Sequence, residues 1–418
     1  MMRVTNQMIS NSLVHTLNKQ KYEIQKSQQN LGTGKKIQFP SDDPVAAASQ
    51  LLLNSRVREL NQYGRNINES KDRLHLTDNQ LARVTDVFQR IRELTVQGAN
   101  GIYTEFELKD VIAKEINQHL NSLVDIANIK DATGRSLFGG SVIERDPFLA
   151  VYTHSGSSGV ENANALVGVQ YQGDIQALKR EIERGEEMII GTPGNRVFWG
   201  TNAAIQSNRD SSNFIAQGDQ VFSIDGVKIK VSSGDTLNDI IDKINNAPIE
   251  VKASRGAQND IILTGTTPHQ IWLDDVEEGT VLQTLGLING SDPQPPGNYN
   301  PSATVTGFSA FDLVIQLRDD FVNNDKALIG GRDLEAIDLA IENVLRHRAE
   351  IGARVNRLEQ HEKRITWDES YVKELLAKNE SIDVVETIMD LKWLENVHNY
   401  ALQVGSKMIK PSLIDFLR

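Results

Sequence analysis

The chain has 418 residues, enough for two to four domains of ordinary size. Its formal charge of −12 argues against a whole-chain nucleic-acid binder, and the lack of cysteine excludes disulfides and thiol chemistry. The first 30 residues lack the apolar core of a secretory signal, and no run of about 18 apolar residues predicts a membrane span. We therefore expect neither nucleic acid nor membrane as a partner. If the protein is exported, we expect a route that needs no cleavable signal.

The N-terminal segment carries an apolar stripe at helical spacing: Val4, Met8, Leu13, Leu17, Ile24 and Leu31. Six Lys or Arg against one Glu give residues 1–36 a local charge of +5. The stripe is too narrow to form a core alone, so the predicted helix needs a partner from its own chain or a neighbour.

The segment after this stripe contains Gly34-Lys35, the central pair of a phosphate-binding loop. Such a loop needs a glycine five positions before the pair and Ser or Thr directly after it. Gln29 and Lys36 occupy those positions, and the preceding segment is predicted to be a helix, not a strand. The pattern favours a joint between two helices over a nucleotide site.

Two distant segments then show hydrophobic residues seven apart. The first repeat comprises Leu60, Ile67, Leu74, Leu81 and Phe88, with Ser70 and Thr77 weakening the adjacent seam. The second comprises Ile337, Val344, Ile351, Leu358, Ile365 and Val372. Heptads predict two long helices packed along each other as a rod, and two unrelated amphipathic helices are the alternative. The first helix begins at Asp43 as N-cap with Pro44 at its first position, and runs to about Gln97.

The middle of the chain has a different pattern. Thr104 and Glu107 form a capping box that opens a further helix. Strand-like alternation follows from about residue 137 to 310, with hairpins predicted at 221–231 and 249–263 and a short helix after Thr236. These segments predict a domain inserted between the two halves of the rod.

The C-terminal segment carries a second narrow stripe: Leu391, Leu394, Val397, Ala401, Val404 and Met408. Apolar residues continue to the end at Leu413, Ile414, Phe416 and Leu417. We predict that both terminal stripes and this ending form a subunit interface.

No residue pattern predicts catalysis. His361-Glu362 begins a zinc-protease motif, but Ile365 stands where the second histidine is required. His347 and His361 are therefore expected to be exposed positions on a heptad helix. We assign no catalytic, cofactor-binding or metal residues, and no cofactor.

Four segments resemble the bacterial flagellin family. The N-terminal signature is Gly32-Thr-Gly-Lys-Lys-Ile37 with Ser41-Asp-Asp-Pro-Val-Ala46, and the rod segment is Ile351-Gly-Ala-Arg-Val-Asn-Arg-Leu358. The ending, Lys410-Pro-Ser-Leu-Ile-Asp-Phe-Leu417, is similar to the hook-associated branch of the family more than to flagellin itself. Residues 221–287 resemble a small α/β insertion found across the family.

The resemblance implies a mainly α fold with an inserted α+β part, in which both chain ends build a long antiparallel helical rod. Residues 1–43 and 377–418 would form a terminal coiled-coil domain, 44–200 and 305–376 the rod with a β segment, and 201–304 a β-rich outer domain. On this interpretation the inter-domain joint consists of Gly32, Gly34, Pro40, Asp43 and Pro44.

The resemblance also implies a structural role at the hook–filament junction, after export through the flagellar type III system. The implied partners are copies of the chain in a ring-like helical layer, another hook-associated protein, flagellin, and an export chaperone at the C-terminal region. Both external and periplasmic flagella fit this location. Flagellin proper is the first alternative, and a hydrolase on the same scaffold is the second.

Overall fold

The computed structural model describes residues 6–100, 103–142, 144–152, 166–276, 279–290 and 297–408. The fold is mainly helical with a β-rich segment in the middle of the chain, as predicted. The four long helices are α1 (Asn6–Thr33), α2 (Pro44–Ala99), α10 (Leu334–Glu380) and α11 (Val384–Met408). The chain divides into two compact units, Met1–Arg65 with Glu362–Arg418, and Asn66–His361.

Short elements fill the middle of the chain. The helices are α3 (Glu105–Glu107), α4 (Ala113–Ala127), α5 (Gly194–Val197), α6 (Leu237–Asn246), α7 (Val281–Thr284), α8 (Ala310–Val322) and α9 (Lys326–Leu328), with π-helical turns at Leu108–Ile112 and Ile329–Asp333. The strands are β1 (Phe148–Tyr152), β2 (Leu166–Tyr171), β3 (Lys179–Glu183), β4 (Glu186–Ile189), β5 (Ala204–Gln206), β6 (Gln220–Ile224), β7 (Val227–Val231), β8 (Val251–Arg255), β9 (Ile261–Gly265), β10 (Leu273–Val276) and β11 (Thr304–Thr306).

The heptad positions of α2 and α10 form a buried seam. All five α2 positions and the first five α10 positions are buried, while Val372 is half-buried. Within the Asn66–His361 unit, Arg92 pairs with Asp338 and Arg348 with Asp78, so the two helices run antiparallel. The predicted antiparallel helix pair is confirmed.

Two polar residues interrupt this seam without leaving unpaired hydroxyls. The Ser70 Oγ donates to the Asn66 carbonyl at 2.5 Å, and the Thr77 Oγ1 donates to the Arg73 carbonyl at 2.9 Å. Because a buried hydroxyl costs free energy chiefly when it lacks a partner, these bonds within α2 make Ser70 and Thr77 tolerable in the seam.

The exposure predicted for His347 and His361 is wrong, since both are at least nine-tenths buried. The segment 179–197, which contains the β3–β4 hairpin and α5 and is called the β segment below, covers the face of α10 on which they lie. The His347 Nε2 lies 3.2 Å from the Arg196 carbonyl oxygen, and the His361 ring lies between Glu183 and Glu186 on the β3–β4 hairpin. A heptad repeat predicts only the seam, so it contained no information about a second covered face.

The inserted segment has its own hydrophobic core, drawn from residues between 203 and 303. One sheet has the order β10-β6-β7 and a second has the order β11-β5-β9-β8, with antiparallel pairing throughout both sheets. Both predicted hairpins are present, and a capping box formed by Thr236 and Asp239 opens α6. This core lies within residues 201–304, and the outer domain that the resemblance implies for this segment stays a prediction.

A buried histidine–aspartate pair closes the turn between β6 and β7. Asp225 occupies that turn with φ +51°, and its Oδ2 lies 2.9 Å from the His269 Nε2. The His269 Nδ1 lies 2.8 Å from the Thr267 carbonyl oxygen, so both ring nitrogens face acceptors. Burial alone would lower the pKa of His269, but the Asp225 hydrogen bond and charge outweigh it and raise that pKa.

Replacing Ile351 by Asp should unfold the helical unit, because Ile351 is 1% exposed within the seam. Core truncations cost roughly 2–5 kcal/mol, and burying a charge costs at least as much. Leu345→Asp is the matched control on the same helix, since Leu345 is 46% exposed. Circular dichroism melts should show a large loss of thermal stability for Ile351→Asp and little change in thermal stability for Leu345→Asp. Equal melts for the two variants would contradict the seam.

The His269–Asp225 pair should make stability depend on pH. A histidine with a raised folded pKa contributes stability below its unfolded pKa of about 6.5, and that contribution is lost as pH rises through the folded value. The difference in thermal midpoint between the wild type and His269→Gln should therefore shrink as pH increases above about 6.5. His75→Gln, at an exposed position, is the control for the loss of a histidine. A flat profile for His269→Gln would refute the charged pair.

Candidate functional site

The two terminal helices α1 and α11 pair with each other in antiparallel orientation. Gly405 lies against Leu13, where an added Cβ would come within 2.5 Å of the leucine Cδ2. At the other end, Lys35 forms an isolated antiparallel bridge with Ser381. The two predicted stripes therefore have partners within the chain itself.

Most predicted interface residues lie along this helix pair. Leu391 is buried, and the half-buried positions are Leu13, Leu17, Ile24, Leu31, Leu394, Val397 and Ala401. Met8 and Val404 are exposed. Val4, Leu413, Ile414, Phe416 and Leu417 lie outside the described residues, as does the side chain of Met408. A subunit interface at these positions stays a prediction.

Helix α11 carries a second apolar stripe that the sequence analysis missed. Its members are between 55% and 67% exposed: Val385, Met389, Trp393, Tyr400 and Val404. At 3.6 residues per turn they share one face, which differs from the face of Leu391, Leu394 and Ala401 toward α1. Val385, Met389 and Trp393 give the sequence signal, since they are apolar residues four positions apart. The sequence analysis assigns Val404 to the stripe of Leu391 and Leu394 instead.

The joint between α1 and α2 is bonded to the joint between α10 and α11. The Lys36 backbone N–H donates to the Glu380 carbonyl at 2.8 Å, and the Ile382 N–H donates to the Gly34 carbonyl at 3.2 Å. The Lys35 ammonium pairs with the Glu380 carboxylate, and this hydrogen bond lowers the pKa of Glu380 below its usual range. The two chain reversals therefore form one structure.

An aspartate restarts the helix at each joint. The Asp43 Oδ1 accepts from the N–H groups of Val45 and Ala46 at 3.1 and 3.0 Å, and α2 begins at Pro44. The Asp383 Oδ1 accepts from the N–H groups of the second and third residues that follow it, at 2.9 and 3.2 Å. The prediction for Asp43 as N-cap is confirmed. Asp383 was missed, although an aspartate just before an apolar helical pattern is the same local signal.

Asp42 has a different role from its neighbour. Its carboxylate accepts from the Lys26 Nζ at 2.9 Å and from the Phe39 N–H at 3.1 Å. The Lys26 hydrogen bond, followed by the backbone bonds, lowers the pKa of Asp42. Asp42 thus ties the joint back onto α1, while Asp43 begins α2.

The two glycines of the joint have different conformations. Gly34 has φ +70°, in the left-handed region that favours glycine, and its N–H donates to the Asn30 carbonyl at 2.8 Å. Gly32 lies inside α1, which continues to Thr33. Gly34 therefore marks the helix end, and its positive φ has a physical requirement that Gly32 lacks.

One group of side chains in the described residues has the composition of a metal site. Ligand atoms of Glu183, Glu186 and His361 lie within 4.8 Å of one another. Arg357 already pairs with Glu186, so the group forms an ion-pair cluster between α10 and the β3–β4 hairpin. Among the helices described, none combines the length and apolarity that a membrane crossing requires.

Two family models match the chain. The bacterial flagellin N-terminal helical region matches residues 4–142, and the flagellin hook IN motif matches residues 215–267. The first match contains both the joint and the α2 heptads. The second contains the hairpins and helix α6 of the inserted domain.

Similar proteins include flagellar and hook-associated chains. Flagellar hook-associated protein 3 of Escherichia coli K12 is 25% identical over 291 residues, covering 68% of this chain and 83% of that protein. Flagellin A of Vibrio anguillarum is 23% identical over 344 residues, covering 82% of this chain and 79% of that protein. The crystal structure of flagellar hook-associated protein-3 from Legionella pneumophila has a TM-score of 0.46 and 20% sequence identity to this chain. It covers 78% of this chain and 98% of that chain.

An added Cβ meets open space at both Gly34 and Gly32, so only the backbone conformation decides the effect of alanine. Because Gly34 has a positive φ and Gly32 is helical, the two substitutions should have opposite effects. A left-handed φ costs an L-residue roughly 1–2 kcal/mol, so Gly34→Ala should weaken the joint. In a helix, alanine is better than glycine by about 0.5–1 kcal/mol, so Gly32→Ala should strengthen α1. Hydrogen exchange at the Lys36 and Ile382 amides measures opening of the joint. Slower exchange in Gly34→Ala would contradict its assigned role.

Proposed function

We propose that this chain, a member of the flagellin family and a structural component of the bacterial flagellum, is the adaptor that joins the hook to the filament. The resemblance of its chain ends to the hook-associated branch supports this location. The observation that carries the mechanism is the exposed apolar stripe on α11.

A helix with two apolar faces needs two partners. One face of α11 packs on α1, and the second bears Met389, Trp393 and Tyr400 in solvent. Burying apolar surface yields about 25 cal/mol per Å², and large aromatic side chains dominate interface energetics. The second stripe is therefore suited to a neighbouring subunit, with α1 and α11 entering the assembly as a pair.

The bonded joints give this pair a defined starting orientation. Charge and backbone contacts link Lys35 and Lys36 to Glu380, and Asp43 and Asp383 begin the adjoining helices. Residues 1–43 and 377–418 act as the terminal domain on this proposal, and Gly34, Pro40, Asp43 and Pro44 as its joint. Movement of one terminal helix then carries the other with it.

The partners follow from this location. The chain contacts copies of itself in a ring-like helical layer, another hook-associated protein on the hook side and flagellin on the filament side. An export chaperone covers the C-terminal region before assembly. An exposed apolar stripe is a liability in a free subunit, and a chaperone that shields it would prevent aggregation.

Flagellin proper is the second candidate, favoured by the similarity to Flagellin A over most of the chain. Deleting the gene and imaging purified flagella separates the two. Hooks without filaments support an adaptor, whereas shortened or altered filaments on intact hooks support flagellin. Unchanged flagella would refute both assignments.

Trp393→Asp should block assembly without unfolding the subunit. Trp393 is 64% exposed in the free chain, so the free energy of unfolding should change by no more than about 0.5 kcal/mol. In the assembled structure an unpaired buried carboxylate would cost several kcal/mol. The gene-deletion strain complemented with Trp393→Asp should therefore produce hooks without filaments.

Asn399→Asp is the matched control, because it adds the same charge to α11 at an exposed position off the stripe. It should restore filaments to the deletion strain. Normal filaments from Trp393→Asp would show that the stripe is not an interface, even if the adaptor function stands.

A further inference from the structure

Two glutamates face each other at the tip of the β3–β4 hairpin. Glu183 and Glu186 are paired across the two strands, and Arg184 and Gly185 form the turn between them. Like charges directly opposite each other destabilise a pair of strands. The hairpin therefore holds two carboxylates where a cation between them would be stabilising.

Packing holds this hairpin against the helices of its unit. The side chains of Ile182 and Met188 are buried, and the Nδ2 of the buried Asn66 donates to the Glu181 carbonyl at 2.8 Å. The two glutamate side chains at the tip remain accessible to solvent, with 31% and 33% of their surface exposed. The fold thus fixes the hairpin backbone and leaves both carboxylates free to rotate toward a ligand.

His361 on α10 points into the space between the two carboxylates. Its Nδ1 lies 3.8 Å from the Glu183 Oε2, and its Nε2 lies 3.6 Å from the Glu186 Oε1. One ligand atom from each of the three residues lies within 4.8 Å of the other two. Divalent transition metals accept an imidazole together with carboxylates, whereas Ca²⁺ and Mg²⁺ prefer oxygen ligands alone. The residues that follow His361 in the sequence give no sign of this group, because both carboxylates come from a distant hairpin.

The distances require only a small closure around an ion. Zn²⁺ holds nitrogen and oxygen ligands at roughly 2.0–2.2 Å in a tetrahedron, which places the ligand atoms roughly 3.4 Å apart. The three ligand atoms must therefore approach one another by roughly 1 Å. Rotation of the two accessible glutamate side chains supplies this movement while the hairpin backbone stays in place.

The charge of the group also favours a divalent cation. The Arg357 guanidinium pairs with the Glu186 Oε1 and is 56% exposed. With a neutral imidazole, two carboxylates and one guanidinium leave one negative charge without compensation. Arg357 is therefore a competitor for the place of the ion, and its exposed side chain can move into solvent when the ion binds.

We propose that Glu183, Glu186 and His361 form a binding site for a divalent transition-metal ion of the zinc type. The ion takes one oxygen from each glutamate and one nitrogen from the imidazole, and water completes its coordination. Its effect is structural, since it joins the tip of the β3–β4 hairpin to α10. This site is independent of the α11 stripe and of the adaptor function.

Calorimetric titration of the EDTA-treated and dialysed full chain with ZnCl₂ tests the site. Zinc should bind saturably and raise the thermal midpoint, and added EDTA should reverse that rise, because an ion that binds only the folded state stabilises it. CaCl₂ at the same concentration should leave the zinc isotherm unchanged, since Ca²⁺ prefers six or more oxygen ligands.

His361→Gln and Glu183→Gln should each weaken zinc binding at least about tenfold, since loss of even an outer-shell partner costs about 10–100-fold. Glu187→Gln is the matched control on the same hairpin, because Glu187 pairs with Lys179 and is 61% exposed. It should leave the affinity unchanged. Arg357→Gln should instead tighten zinc binding severalfold, because it removes the competing cation. This variant and Glu183→Gln change solvent-accessible side chains, so the proposal stays testable even if His361→Gln fails to fold.

Four results would overturn the proposal. The first is a wild-type chain that binds zinc without saturation, and the second is equal displacement of zinc by CaCl₂. The third is unchanged affinity in folded His361→Gln and Glu183→Gln variants, which would place the zinc elsewhere on a chain with eight histidines. The fourth is weaker binding in Arg357→Gln, because a competing cation cannot be needed for the ion.

Discussion

An amphipathic helix is stable in water only when its apolar stripe is covered, and the long helices of this chain depend on that requirement. The α2 and α10 stripes cover each other, and all their heptad positions except Val372 are buried. Helices α1 and α11 cover each other less completely, because most of their seam residues are only half-buried. The difference in burial separates a helix pair that is complete within the chain from one that still has apolar surface to cover.

The two joints are bonded to each other. A helix can end only where its last carbonyls find other partners, and Gly34 with its positive φ provides such an end. The bonds from Lys36 to Glu380 and from Ile382 to Gly34 then connect the two chain reversals. Because the joint is built from backbone hydrogen bonds, it fixes the relation of α1 to α11 without a large hydrophobic core of its own.

Buried polar groups set the specificity of the β segment and the inserted domain. The Asn343 Nδ2 donates to the carbonyls of Arg196, Val197 and Trp199, which ties α10 to α5 and the residues just after it. The His269–Asp225 pair performs a similar task at the β6–β7 turn. Hydrogen-bonded groups of this kind are costly to leave unpaired, so they favour one arrangement of strands and helices over alternatives with the same apolar pattern.

The sequence by itself determined the elements whose signals are local. The heptads of α2 and α10, the start of α2 at Asp43 and Pro44, and the Asp225-Gly226 hairpin all follow from periodicity or from dihedral preference. Only the tertiary structure decided which elements meet: the contact of Glu380 with Lys35, the covering of His347 and His361 by the β segment, and the placement of Glu183 and Glu186 beside His361. The second stripe of α11 belongs to both groups, since its spacing is in the sequence but its exposure depends on where α1 lies. Local patterns fix what one segment prefers, whereas contacts between distant segments depend on how the whole chain packs, and no single stretch of sequence contains that information.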